Sequence, residues 1–377
     1  MRKFILKKKD IVMIDFELSV GELETIQCKI IEVNTEMSKN MPYGIALTGE
    51  GLVNWLNSRF IPKNRVFVEN ILAALENNKE PRLLNLLSVT LGLSLTDDYW
   101  VVPYGNNYTW EKYNLFDNGF SETLSLVAFT GYNTKIKGLV SSPEPTTNGM
   151  LKKCWRRLKD TVELYKGGTE GFANSGNEPY SEYYAYQVAE AMGLYAVKYD
   201  LHKWKGTLCS TCELFTSKER SFVPAYLVYG DKKVPEILRN VANTPLYNEL
   251  VDIMVFDTII INADRHFNNF GFIRNNTTGE IEGLAPIFDN GISLLVYAMD
   301  SDFNDIDKYI NSLDMTFAFI NAGNLDDIKK LMTNEQKERV RKLIDFRFTK
   351  HKKYNLPDKR LQEINNLIRE RARYLLK

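Results

Sequence analysis

The strongest constraint on this 377-residue chain lies in residues 262–294, NADRHFNNFGFIRNNTTGEIEGLAPIFDNGISL, where apolar patterning forces separated polar residues together. Leu246, Leu250, Ile253, Met254, Asp257 and Ile261 share helical spacing and run straight into the stretch. The helix gives out just before Asp264, so that carboxylate is presented at the edge of a core. Asn269 follows one short loop later. Asn275, Asn276, Thr277, Thr278 and Gly279 form a strong turn signal, which sends residues 281–288 back antiparallel and sets Asp289 beside the Asn269 loop. A fold that accommodates this stretch gathers Asp264, Asn269 and Asp289 in one pocket.

Length and composition fit a globular chain of about two or three lobes with real cores, at 44% hydrophobic and 12% aromatic residues. Lys plus Arg equals Asp plus Glu, so no global field draws the chain to nucleic acid or an anionic membrane, and direct nucleic-acid binding is not expected. The acidic run from Asp300 to Asp327 and the basic excess over 329–377 are read as solvated surface. Basic residues precede apolar ones at the start, but no uninterrupted apolar core follows, so no signal peptide is expected. No stretch reaches the roughly 20 apolar residues that cross a bilayer. The four cysteines argue for a reducing compartment, and a cytoplasmic location is expected. Cys209 and Cys212 form a CxxC without a second pair, and their apolar flanks make them strand cysteines packed in a core.

The pattern along the chain predicts an α+β protein. Alternation at Val12, Ile14, Phe16 and at Ile26, Cys28, Ile30 predicts strands. Phe67, Ile71, Leu72, Leu75 and then Leu83, Leu84, Leu87, Leu91 predict helices, the second stopping at Gly92. Cys154, Arg156, Leu158 and then Val162, Leu164 predict antiparallel strands, with Lys166 at the end of the second, ahead of Gly167 and Gly168. Ser181 is read as the N-cap of a helix that buries Tyr186, Ala189 and Met192 and stops at Gly193, which puts Glu182 in its first turn. Two amphipathic helices close the chain, one marked by Val340, Leu343, Ile344 and Arg347, the other by Leu361, Ile364, Ile368 and Leu375. The expected division is an amino-terminal accessory subdomain over 1–125, a β-rich lobe over 126–216 and a helical lobe over 217–377.

In phosphoryl transfer an Asp at a helix edge orients the acceptor hydroxyl and takes its proton, while an Asn a short loop later and a second carboxylate bind Mg²⁺. Asp264, Asn269 and Asp289 have that spacing, and oxygen-only ligands suit Mg²⁺ better than zinc. A strand lysine followed by a helix glutamate, as in Lys166 and Glu182, is how a phosphate-contacting lysine is held. Each residue alone has a plainer reading as a turn former, a solvated lysine or an N-terminal helix charge. The ordered set of five, in a chain that passes from β-rich to helical, points to a kinase.

DRHFNN with the later FDNG resembles the catalytic and metal-binding loops of the HipA-like serine/threonine kinases, over about residues 131–377, and DDYWVVP is similar to the amino-terminal part of some members. The resemblance implies a bilobal protein-kinase-like fold with an additional amino-terminal subdomain. It implies that Asp264 is the catalytic base, that Asn269 and Asp289 bind Mg²⁺, that Lys166 contacts the phosphates of ATP, and that Glu182 holds Lys166. Glu213, Leu214 and Phe215 would form the hinge facing adenine. A GxGxxG loop is missing, and SSPEPTTNG at 141–149 is the corresponding phosphate-covering turn. Members of the family autophosphorylate a serine in this loop, so Ser141, Ser142, Thr146 and Thr147 are candidates. DRHxxN is also similar to the loop of phosphoinositide kinases. Three readings follow: a kinase for Ser or Thr of a protein substrate, a small-molecule or lipid kinase of the same fold, or a partner-binding nucleotide-sensing pseudokinase. The first or the last could be the toxin of a pair held by a small antitoxin-like DNA-binding partner.

Overall fold

The computed structural model describes residues 1–75, 80–316, 318–319 and 324–377. They fall into two compact units, one of Met1–Tyr165, Thr216–Val223 and Ile273–Glu282, the other of Lys166–Phe215, Pro224–Phe272 and Gly283–Lys377.

In the first unit, β1 (Arg2–Lys8), β2 (Ile11–Val20), β3 (Ile26–Val33) and β4 (Tyr99–Pro103) form an antiparallel sheet in the order β3-β2-β1-β4. Phe4 pairs with Phe16, their rings 5.8 Å apart. The register shifts after Leu6↔Ile14 to Lys7↔Val12, so Met13 is an extra residue on β2. This bulge explains why neighbours Met13 and Ile14 are both fully buried where simple alternation would expose one. Helices α1 (Gly49–Ser58), α2 (Val68–Leu75), α3 (Arg82–Thr90), α4 (Trp110–Tyr113) and α5 (Glu122–Thr130) complete this part. The predicted leucine stripe is α3, closed by Leu91 in the left-handed conformation, its N–H on the Leu87 carbonyl. β5 (Lys153–Leu158) and β6 (Thr161–Gly167) are sheet neighbours joined by two residues, which makes them a hairpin, and β6 carries the chain into the second unit at Lys166.

In the second unit, α6 (Glu178–Met192) precedes an antiparallel pair, β7 (Tyr199–Trp204) and β8 (Thr207–Glu213). Cys209 is buried and Cys212 half-buried on β8, and neither is in a disulfide. β9 (Arg220–Pro224), β10 (Gly271–Asn275) and β11 (Ile281–Leu284) hydrogen-bond in the order β11-β10-β9, and the division into units runs through all three. The predicted turn joins β10 to β11: Gly279 has φ 78°, and the Asn275 side chain accepts the N–H groups of Thr277 and Thr278. The return leg stays beside β10 as far as Ala285, which bonds Gly271, and Ile287 then bridges Ala196 in parallel.

The remaining helices are α7 (Ala225–Tyr229), α8 (Val234–Val241), α9 (Pro245–Ile260), α10 (Ile306–Ser312), α11 (Leu325–Leu331), α12 (Asn334–Arg341) and α13 (Asp358–Leu376). Every residue of α9 from Leu250 to Ile260 is buried, so it is a core helix covered all round, with α8, α11, α12 and α13 packed on it. α12 ends at Arg341, short of the expected span. Its capping box at Thr333 and Gln336 sets the start, and after Arg341 the chain tightens into turns in which Leu343 bonds Val340 and Ile344 bonds Arg341. Those turns keep Leu343 buried although it is not helical. Among the described residues no helix is long and apolar enough to cross a membrane.

Candidate active site

The five residues singled out by chemistry all belong to the second unit, and Lys166 is at their centre. Its ammonium, at the end of β6, donates to Glu182 Oε1 at 2.9 Å and pairs with Asp289. The other oxygen of Glu182 accepts the N–H of Asn290 at 2.7 Å. One buried carboxylate on α6 therefore holds both the lysine and the backbone beside Asp289. The Asp289 N–H donates to the Tyr199 hydroxyl at 3.1 Å, and Asp289 itself has φ 56°, a left-handed conformation that Asp tolerates better than most side chains.

The start of α6 corrects the expected capping. The helix begins at Glu178, with Pro179 in its first turn, so Ser181 and Glu182 lie inside it. Ser181 caps nothing; its hydroxyl lies 2.8 Å from the Asn290 carbonyl and 2.9 Å from the Ser293 hydroxyl. Glu182 is fully buried, where the helix dipole is weak and a specific partner is needed. Burial alone would push the Lys166 ammonium down, yet the carboxylates of Asp289 and Glu182 outweigh it and hold its pKa above the ordinary lysine value.

α9 delivers the other half of the site. Its C-cap, Ile261, is left-handed at φ 54°, a strained position for a β-branched residue that turns the chain sharply out of the core. Asn262 then organises the turn: its amide donates to Asp257 Oδ1 at 3.1 Å and its carbonyl oxygen accepts the Asp264 N–H at 3.0 Å. The Asp264 carboxylate is half-buried, and burial raises its pKa against the pull of His266. Asp289 and Lys166 also act on its proton affinity, which brings the two halves of the site into one electrostatic neighbourhood. Asn269 spends its amide N–H on the Asp264 carbonyl at 2.8 Å, leaving its Oδ1 as the atom able to take a cation. Asn269 Oδ1 and the part-exposed Asp289 carboxylate are a hard, oxygen-only donor set of the kind Mg²⁺ takes with phosphate oxygens and waters completing the shell.

The residue that ties the loops together was not singled out from the sequence. Arg265 is 1% exposed and pairs through Nε with Asp257 Oδ2 at 3.0 Å. Its remaining nitrogens donate to the Asn269 carbonyl at 2.8 Å, to the Phe288 carbonyl and to the Asn290 side chain. One guanidinium thus spans α9, the Asn269 loop and both flanks of Asp289. The available signal was Asp257, a carboxylate inside an otherwise apolar stripe, which needs a buried cation within reach.

Two other expectations fall less centrally. Phe215 lies 5.5 Å ring to ring from Phe288, next to Asp289, while Glu213 is exposed and Leu214 half-buried. The 141–149 loop lies in the first unit and contains a short 3₁₀ turn, Glu144–Thr146. Glu144 is fully buried and accepts hydrogen bonds from the Ser142 hydroxyl, from Ser125 Oγ at 3.1 Å and from the Trp155 N–H at 3.1 Å. Of the four candidate hydroxyls, Ser142 is on Glu144, Thr146 donates to Leu93 O at 2.7 Å and Thr147 donates to Pro143 O at 2.7 Å; Ser141 Oγ is buried without a partner among the described residues.

Residues 130–370 match the family model described as HipA-like C-terminal domain. The serine/threonine-protein kinase CtkA of Helicobacter pylori is 25% identical over 240 residues, which cover 52% of this chain and 74% of that protein. Its crystal structure, that of a proinflammatory kinase, aligns with 59% of this chain and 92% of its own at a TM-score of 0.45 and 19% identity. The solved complex of HipA, HipB and operator DNA from the toxin–antitoxin system of Shewanella oneidensis MR-1 contains a chain similar to this one over 98% of this sequence and 97% of its own, with a TM-score of 0.55 and 11% identity.

Proposed function

The chain belongs to the HipA-like C-terminal domain family, and from that membership we propose that it is an ATP- and Mg²⁺-dependent kinase that phosphorylates Ser or Thr of a protein substrate. The observation that carries the proposal is Lys166, paired at once with Glu182 and Asp289, in the same electrostatic neighbourhood as Asp264. In this reading 126–216 and 217–377 are the two lobes of a protein-kinase-like fold and 1–125 is an accessory subdomain. The whole-chain likeness to the Shewanella HipA chain supports the fold.

Glu182 orients Lys166 toward the α- and β-phosphates. Glu213, Leu214 and Phe215 form the hinge at adenine. Asp264 accepts the proton of the acceptor hydroxyl as its oxygen bonds to the γ-phosphorus and the bond from that phosphorus to the departing ADP breaks, and its raised pKa makes it a better base than an ordinary aspartate. Asn269 and Asp289 would hold Mg²⁺, which when bound would offset the charge of the phosphate oxygens. Arg265 fixes the separation of these two ligands. The Helicobacter relative is named a serine/threonine-protein kinase, which supports a protein acceptor, and the complex of the Shewanella HipA with HipB supports a small DNA-binding antitoxin-like partner and a toxin role.

Labelled phosphate from ATP should appear on a protein acceptor or on the chain itself, and Asp264→Ala should lower incorporation by about 10²–10⁴-fold. Equal incorporation by the two would remove Asp264 from the catalytic role. A gene for a helix-turn-helix protein next to this one would favour the toxin arrangement.

A further inference from the structure

Immediately past Asp264, the second unit has a cavity of about 300 Å³. His266 and Phe267 line one side of it and Phe319 another, with Lys232 and Lys233 at the rim. The apolar wall is well braced: Phe267 and Phe319 lie 5.7 Å apart, and Phe270 lies 4.6 Å from Phe319. Phe267 also accepts the Tyr226 N–H through its carbonyl at 3.1 Å, which ties the segment leading to Lys232 directly to the catalytic loop. Gly230, at φ 57°, ψ −129°, makes the sharp turn between α7 and that rim, a conformation open to glycine. Lys232 and Lys233 are exposed, whereas Phe319 is buried.

The charges around the cavity are unequal. Among the described lining residues Asp231 is the acidic one. Asp314, two residues before the wall residue Thr316, turns its carboxylate back onto the Thr316 N–H at 2.9 Å. Arg265 reaches the cavity, but its charge is committed to Asp257. What faces an incoming group is therefore the half-buried Phe267, backed by the buried Phe319, beside two exposed lysines.

We infer that this cavity is the subsite for the residues flanking the phosphorylated Ser or Thr, taking an apolar side chain on Phe267 and Phe319 and an acidic side chain of the same segment at Lys232 and Lys233. The inference rests on the kinase reading and narrows it to an acidic polypeptide acceptor. The geometry supports a polypeptide over a small molecule: the His266 N–H bonds the Asp264 carbonyl at 2.9 Å, so the wall of His266 and Phe267 begins one tight turn from the catalytic carboxylate, where a residue beside the acceptor would lie. Aromatic surface supplies contact area, and the lysines select the sign of charge.

The test uses the full chain and two synthetic peptides, each with a serine beside a leucine, flanked in one by glutamates and in the other by lysines. Peptide binding by fluorescence anisotropy, binding of a labelled ATP analogue and transfer of labelled phosphate are read together. The acidic peptide is expected to be favoured about tenfold in kcat/KM. In Lys232→Glu/Lys233→Glu that preference should vanish or reverse, mainly through KM, with nucleotide binding unchanged. Phosphate transfer without preference between the peptides, or preference retained by the double variant, overturns the subsite. Nucleotide binding and self-phosphorylation with neither peptide bound overturns it as well while leaving the kinase reading standing. Absence of nucleotide binding and of any transfer overturns the kinase reading and the subsite with it.

Discussion

Two neighbourhoods bury a glutamate and an arginine without exposing either, and they neutralise them in opposite ways. In the first unit Glu144 is held by two hydroxyls and an N–H, and Arg65, 2% exposed, donates to the carbonyls of Thr147 and Lys153. In the second unit Glu182 is held by Lys166, and Arg265 by Asp257. Neutral dipoles leave a buried charge costly: burial pushes Glu144 up, and it pushes Arg65 down to about 10 even against the opposing pull of Glu144. Opposite charges reverse the sense for the cations, and Lys166 and Arg265 are both held above their ordinary values. A cradle of neutral donors anchors a loop. Paired carboxylates keep two cations in their charged form in a dry place, as the proposed kinase reading requires of a site for anionic phosphate.

The charged neighbourhood is therefore the one that fails hardest when cut. Arg265→Ala leaves Asp257 buried with only the Asn262 amide and releases the carbonyls of Asn269 and Phe288, so a loss of about 3–5 kcal/mol is expected in denaturant unfolding of the chain. Arg65→Ala removes two bonds to carbonyls and leaves Glu144, whose charge acts on Arg65, still held by two hydroxyls and an N–H, and should cost less than half as much. Comparable losses for the two would erase the distinction.

The next effect falls on chemistry. Glu182→Gln keeps the shape of the side chain and removes the charge that holds Lys166, leaving the lysine to Asp289 alone. Phosphate incorporation is expected to fall by about 10²-fold while the unfolding midpoint moves little, since an amide can still accept the Asn290 N–H. Unchanged incorporation would mean that Glu182 is a structural acid like Glu144.

The parts of this contrast that could be read from the sequence are the ones in which chemistry imposes spacing. Asp264, Asn269 and Asp289 stood out because a helix end, a short loop and a turn of Asn, Thr and Gly bring them back to each other, and the alternating residues of β2, β3, β5 and β6 marked their strands. The sequence marks Glu182 as the partner of Lys166, but it places the start of its helix at Ser181 and not at Glu178. Ser181 looks like a cap by composition, and only the tertiary bonds to Asn290 and Ser293 reveal its use. Asp257 and Arg265 were missed because each sits in a pattern with another explanation, one in an apolar stripe and one between the more conspicuous Asp264 and His266. Glu144 was only a letter in a turn-rich stretch, since a cradle made by residues 19 positions before and 11 after has no local signature.

The smallest effect is the most direct probe of the neutral cradle. Because burial raises the Glu144 pKa above its unfolded value, the folded chain holds this proton where the unfolded chain has lost it. The stability it contributes is fully present below the unfolded glutamate value, about 4.3, and is lost as pH rises toward and through the folded pKa. Glu144→Gln copies the protonated form: its oxygen can still accept from Ser125 and Trp155, and its amide can donate to Ser142. The variant should match the wild type near pH 4 and gain on it as pH rises, with a slope of at most about 1.4 kcal/mol per pH unit. Taking the difference between the two chains cancels every other titrating group. A difference in stability that stays flat from pH 4 to 7 would mean that the cradle stabilises the glutamate charge as well as water does, and the contrast with the Lys166 pair would then reduce to one of geometry.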